Sequence, residues 1–234
     1  MKTTLQLCLA ALLFVGSAGY AEAQKKKKTG PMAPIEDVDG LPRVLLLGDS
    51  ISIGYTLPVR EKLKGKANVH RALENCGPTS TSLGKIDKWI GDKKWDVIHF
   101  NWGLHDLKYM GPNNENLADP KASDSRQQVP PEEYEKNLRV LVEQLKKTGA
   151  KLIWRNTTPV PEGCKGRVAG DSAKYNAIAA KVMEEHDIPT NDLFSLTGKL
   201  PKGSQREANV HYTPAGSALL ADSVVESIRA ALKE

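Results

Sequence analysis

The sequence predicts an α/β protein: a parallel sheet covered by helices on both faces. Three observations carry this. From about residue 41, short apolar runs alternate with helical patterns, the arrangement that βαβ units require. Four of the apolar runs end in polar loops bearing Gly or Pro. The length, 234 residues, suits one domain with a sizeable core once the front end is set aside.

Strands are predicted over 44–47, 69–73, 97–101 and 151–156, with a weaker one over 188–192. Helices are predicted over 53–63, 83–90, 131–147, 172–186 and 214–232. In 131–147, Leu138, Leu141, Val142 and Leu145 share one face, and Lys146 and Lys147 suit the negative end of the helix dipole. Gly149 follows as a C-terminal cap. The last helix opens with Thr213 as its cap and Pro214 in its first position. Right-handed crossovers leave few topologies. The simplest is a three-layer α/β/α sandwich, a flavodoxin-like parallel sheet of about five strands. Ligands of such sheets bind outside the carboxyl ends of the strands. The loops "GDS", "NCGPTSTS", "NWGLHD" and "TTPVPEG" therefore meet on one rim. A segment at 107–130, rich in Asn, Asp, Ser and Pro, leaves from the same rim. It is either a surface insertion or a flap that shapes the substrate site.

The front end reads as a secretory signal over 1–23. Lys2 is followed by an apolar stretch and then by Ala21-Glu22-Ala23, small residues around a cleavage point. The predicted location is secreted or periplasmic, with no membrane span after signal removal. A disordered basic linker is expected over 24–40, and one domain over 41–234. Lys25, Lys26, Lys27 and Lys28 account for all but one unit of the net charge of +5. That concentration in a solvated run, without interleaved aromatics, argues against nucleic acid as a partner. Cys76 and Cys164 remain in the mature chain, either as a disulfide or as two buried thiols. Nothing in the pattern calls for a second subunit, and a monomer is expected.

The stretch "RVLLLGDSIS" ends an apolar strand in Gly48-Asp49-Ser50. A phosphate cradle needs a Gly-Lys pair or three spaced glycines, and "GDSISIG" has neither. A helix cap accounts for a serine here but not for His211, which precedes the last helix on the same rim. Serine is a weak nucleophile until a base takes its proton, and a distant histidine returned to the same rim can be that base.

With these residues in place, the chain resembles the SGNH (GDSL) hydrolase family of esterases, lipases and carbohydrate deacetylases. "GDSIS" matches its first block, "NWGLHD" stands where its third belongs, and "VHYTPAG" matches the region around its last-block histidine. The blocks come in family order across roughly residues 41–232. The resemblance implies the SGNH hydrolase fold, Ser50 as nucleophile and His211 as base. It also implies an oxyanion hole from the Ser50 and Gly77 N–H groups, and no cofactor.

The sequence also departs from the family. His105 stands where the family has an oxyanion-donating asparagine; a neutral imidazole can supply one N–H in its place. Ala208 stands where the family has the aspartate that orients the histidine. Asn209, Glu207 or no side chain at all could take that role, and Asn209 is preferred. Asp49, Asn75, Trp102 and Asp106 are candidate substrate contacts. His99, His105 and Asp106 invite a metal reading, but His99 lies in an apolar strand and is assigned to the core, so no metal is expected. Polar rim loops and a low aromatic content suit a small acyl group, such as acetate, on a polar alcohol; with export, they resemble the family's carbohydrate acetylesterases, which implies a small-molecule or carbohydrate ester. A lysophospholipase or thioesterase, and a non-catalytic carbohydrate-binding protein on the same scaffold, are the alternatives.

Overall fold

A computed structural model describes residues 30–233. The predicted signal, the lysine run and the first part of the linker lie outside them. The main sheet has five parallel strands in the order β2-β1-β3-β6-β7. These are β1 (Arg43–Leu47), β2 (Asn68–Arg71), β3 (Val97–Phe100), β6 (Lys151–Arg155) and β7 (Thr190–Asn191). A separate antiparallel ribbon, β4 (Tyr109–Met110) with β5 (Arg126–Gln127), lies within the 107–130 segment.

Strands β1 and β3 are the apolar centre. Val44 pairs with Val69 on one side and Val97 on the other, and all three are buried. Runs such as "VLLL" are apolar on both pleat faces because helices cover both. Helix α1 (Ser50–Lys62) packs on α7 (Pro214–Lys233) to form one layer. The other layer pairs α4 (Pro131–Lys146) with α5 (Asp171–Glu185), and the short α2 (Thr79–Ser82) and α3 (Ile86–Ile90) rest against α4. Leu138, Leu141, Val142 and Leu145 of α4 are fully buried, as their spacing predicts. Gly149 takes the left-handed conformation after α4, with φ +69°. Thr213 Oγ1 accepts the Gly216 N–H at 3.1 Å and caps α7.

The predicted helix over 83–90 is two short helices, α2 and α3. Burial of Thr79 and Ser82 starts α2 early, and Gly84 and Lys85 break the path. The weak fifth strand shrinks to Thr190–Asn191, and α6 (Leu193–Thr197) follows at once, capped by the Asp192 side chain. The linker expected to be disordered is laid against the domain over its described part, 30–40. There Asp37 pairs with Arg43 and His70, and Asn68 exchanges two hydrogen bonds with the Val38 backbone. A carboxylate and backbone groups with partners in the domain outweigh a tail-like composition. No helix of the described residues is long and apolar enough to cross a membrane.

Candidate active site

Helix α1 begins at Ser50 itself. Its cap is Asp49, whose Oδ1 accepts the Ile51 N–H at 3.0 Å, so the capping role considered for the serine belongs to its neighbour. Ser50 is thereby freed for other work, half-exposed at the carboxyl end of β1, with its N–H among the donors a helix start leaves over. Ser50 Oγ lies 2.8 Å from His211 Nε2. His211 Nδ1 lies 2.7 Å from Asn209 Oδ1, and the same oxygen accepts the His211 backbone N–H at 2.9 Å.

That second bond fixes the amide orientation, because only the oxygen can accept an N–H. Nδ1 therefore carries the imidazole proton and Nε2 is left to accept from Ser50. The turn is made by Ala208, which adopts a left-handed φ of +46° and swings Asn209 back over the ring. Glu207 is exposed and makes no hydrogen bond to His211. Burial pushes the His211 pKa below its ordinary value. The Asp49 charge pulls the other way, and Arg167 and Arg206 add to the lowering.

His105 is half-buried, and its ring makes no hydrogen bond among the described residues. Burial, with Lys108 and Arg167 nearby, pushes its pKa down to about 4 against a pull from Asp49, so the ring is neutral near pH 7. The Gly77 N–H, expected as an oxyanion donor, is engaged by Asn75 Oδ1 at 2.9 Å in a turn where Gly77 has φ +65°. Asn75 is thus a loop-shaping residue next to the site, and Gly77 can donate to a ligand only by sharing or releasing that bond.

Three expected substrate contacts are internal instead. Trp102 is 1% exposed; its indole N–H donates to Ser82 Oγ at 2.6 Å, and its carbonyl accepts from Tyr134. It cannot stack on a sugar, because it packs beneath the third loop. Asp106 is fully buried, with Oδ1 accepting the Thr79 N–H and hydroxyl at 2.7 and 2.6 Å. Burial raises its pKa to about 7 against those two bonds, and its work is to tie the third loop to the second. Asp49, 2% exposed, is the helix cap and the partner of Arg155. His99 is in the core, bonded to Asn191. Cys76 and Cys164 are both free and buried. The Cys76 sulfur accepts the Gly48 N–H, and burial pushes its thiol up to about 12. Among the described residues, no group of three or more His, Cys, Asp or Glu could hold a metal ion.

Two arginines that no motif marks also shape the rim. Arg155, fully buried at the end of β6, donates to Asn101 Oδ1 at 2.6 Å and Asp49 Oδ1 at 3.3 Å. Arg71, at the end of β2, donates to Thr56 Oγ1 and Ala72 O under the Gly48 turn. Both close apolar strands at the rim, and a cation at the end of such a run was the available signal. Gly103 lets the third loop lie against the fourth: a Cβ there would fall 2.1 Å from Thr157 Oγ1.

Fold and site together define a three-layer parallel α/β protein with a Ser–His–Asn constellation at the carboxyl rim of its sheet. No protein-family model matches the chain, and no curated protein does. Solved structures do. A lipase/acylhydrolase from Enterococcus faecalis matches with a TM-score of 0.66 at 18% identity, over 81% of this chain and 96% of that one. An acetyl xylan esterase matches at 0.62 and 16% identity, over 80% and 99%. The esterase EstA from Pseudoalteromonas sp. matches at 0.61 and 14% identity, over 82% and 99%. The chain has the SGNH/GDSL hydrolase fold.

Proposed function

We propose that the protein is a serine carboxylic-ester hydrolase that removes a small acyl group, acetyl above all, from a polar alcohol such as a carbohydrate. The observation that carries this is the continuous Ser50–His211–Asn209 chain of hydrogen bonds at 2.8 and 2.7 Å. Ser50 Oγ attacks the ester carbonyl while His211 Nε2 takes its proton. The oxyanion is held by the Ser50 N–H at the start of α1 and by the neutral His105 N–H. His211 then protonates the departing alkoxide. Water, deprotonated by His211, attacks the acyl-enzyme; the acid leaves and the proton returns to Ser50.

The space beside Ser50 supports a small acyl group. A cavity of about 340 Å³ is bounded by Ser50, Gly54, Arg206, His211, Tyr212 and Ser217, with Ile51 and Ile53 as its aliphatic contributions. An acetyl xylan esterase among the matching structures supports the same reading. With residues 1–23 as a cleaved signal, the domain acts outside the cytoplasm as a monomer, and residues 30–40 pack on its edge. The expected result with 4-nitrophenyl esters is a kcat/KM for acetate at least about tenfold above that for dodecanoate. A steep preference for the long chain would overturn the acetyl reading and favour a lysophospholipase or thioesterase.

Asn209 gives a second prediction, with a sign. Asn209→Ala frees the Nδ1 proton and the ring, and kcat/KM is expected to fall by about 10²–10⁴. Asn209→Asp retains an acceptor but adds a charge that favours imidazolium. The base must be neutral to act, and burial already holds the His211 pKa below 6.5. The wild-type acid limb in a pH–kcat/KM profile therefore lies below pH 6.5. In Asn209→Asp it moves to higher pH. An unmoved limb would show that position 209 does not face the base.

A further inference from the structure

Arg155 is paired with Asp49, but three other cations around the site, Arg167, Arg206 and Lys108, form no ion pair among the described residues. Arg167, in the loop between β6 and α5, is half-buried, and its Nε donates to the carbonyl of Leu104, the residue before His105, at 3.1 Å. Among the described residues it forms no ion pair. Its side chain hydrogen-bonds the Cys164 thiol, and the carboxylate whose charge reaches it is that of Asp49, already committed to Arg155. Arg206 lines the cavity with Ser50 and His211, and its backbone N–H donates to the His211 carbonyl at 2.9 Å. Lys108, half-buried, stands with Arg167 near His105. No carboxylate lines that cavity.

A half-buried guanidinium without a carboxylate is costly, and burial depresses the pKa of both Arg167 and Lys108. The fold nonetheless holds Arg167 firmly. Gly166, at φ +64°, lies so close to the 107–130 segment that a Cβ would come within 2.3 Å of Leu117 Cα. The Gly166 carbonyl also accepts the Tyr109 N–H at 2.8 Å. The inserted segment thus braces the loop that presents the arginine. A cation held at such cost near His105 and His211, with a thiol and a backbone carbonyl but no carboxylate as partners, is suited to receive an anion.

We propose that the ester cleaved here carries a fixed anionic oxygen group, a carboxylate or a sulfate, next to the scissile bond, and that Arg167 receives it with Arg206 assisting. This rests on the ester-hydrolase reading and names the substrate class within it. Arg167 supplies two Nη groups in a plane, which matches the two oxygens of a carboxylate or two of a sulfate. Lys108 adds to the attractive field, which also draws the anionic ester toward the site.

The test compares 3-acetoxybenzoate, 3-acetoxybenzenesulfonate and the neutral, similarly sized 3-acetoxybenzamide. Wild type is expected to favour at least one anion over the amide by about tenfold or more in kcat/KM, with the ratio shrinking as salt rises. Arg167→Gln should bring the ratio close to one, and Arg167→Lys should restore part of it. Whichever anion is preferred names the group. Equal rates on anion and amide in wild type, or an Arg167→Gln loss shared equally by all three, would overturn the proposal. Calorimetry of 3-hydroxybenzoate and 3-hydroxybenzenesulfonate on Ser50→Ala separates recognition from chemistry. Binding of either that disappears in Ser50→Ala/Arg167→Gln supports the anion site even if no ester is cleaved. Cleavage without anion preference supports the hydrolase alone and overturns the site.

Discussion

Ser50→Ala is expected to lower kcat/KM on 4-nitrophenyl acetate by about 10⁴–10⁶, with the fold intact. The alanine has no Oγ to attack the carbonyl, so the two-step route through an acyl-enzyme is closed and only water attack in the oxyanion hole remains. In barrier terms the loss is about 5–8 kcal/mol. Stability should barely move, because Ser50 is half-exposed and Asp49, not Ser50, caps α1. His211→Ala should lose nearly as much, and the double variant little more than either single one, since nucleophile and base act as a unit. Circular dichroism and thermal melting accompany the kinetics. A folded Ser50→Ala protein that kept a tenth of the wild-type rate would remove Ser50 from the chemistry.

Arg155→Met should destabilise the protein by about 3–5 kcal/mol, the cost of leaving one half of a buried ion pair alone. Arg155 is fully buried, and Asp49 is 2% exposed with its second oxygen already lacking a partner. Without the guanidinium, Asp49 faces desolvation with only the Ile51 N–H to hold it, and Asn101 loses its shortest acceptor bond. The melting temperature should drop by about 6–20 °C, scaling that free energy for a domain of this size. Adding Asp49→Asn removes the stranded charge while keeping a good helix cap, so the double variant should recover a substantial part. Urea melts of the four proteins give the coupling. Additive losses would mean that the two side chains do not act as a pair. Because Asp49 adjoins Ser50, the rim geometry is expected to loosen in Arg155→Met, and activity with it.

Much of this architecture was legible in the residues because it is periodic or local. Apolar runs marked β1, β2, β3 and β6, and the spacing of Leu138, Leu141, Val142 and Leu145 marked α4. Thr213-Pro214 fixed where α7 starts. The Gly-Asp-Ser turn and the distant His211 could be paired because a parallel sheet returns every strand end to one rim. The residues whose roles were not legible lie in loops whose surroundings come from elsewhere in the chain. Trp102 and Asp106 look like rim residues in sequence, yet Ser82 and Tyr134 cover one and Thr79 the other.

From the residues alone came the order of strands and helices, the rim, and the meeting of Ser50 with His211 there. Those depend on pattern and on the handedness of crossovers, which every stretch of chain obeys locally. Tertiary structure alone decided between Asn209 and Glu207, because the left-handed turn at Ala208 carries one side chain to the imidazole and leaves the other in solvent. It also decided which charges are paired. Arg155 meets Asp49 from 106 residues away, whereas Arg167 is braced beside His105 with no carboxylate of its own. Ion pairing and burial are properties of distances between remote segments, and no local pattern encodes them.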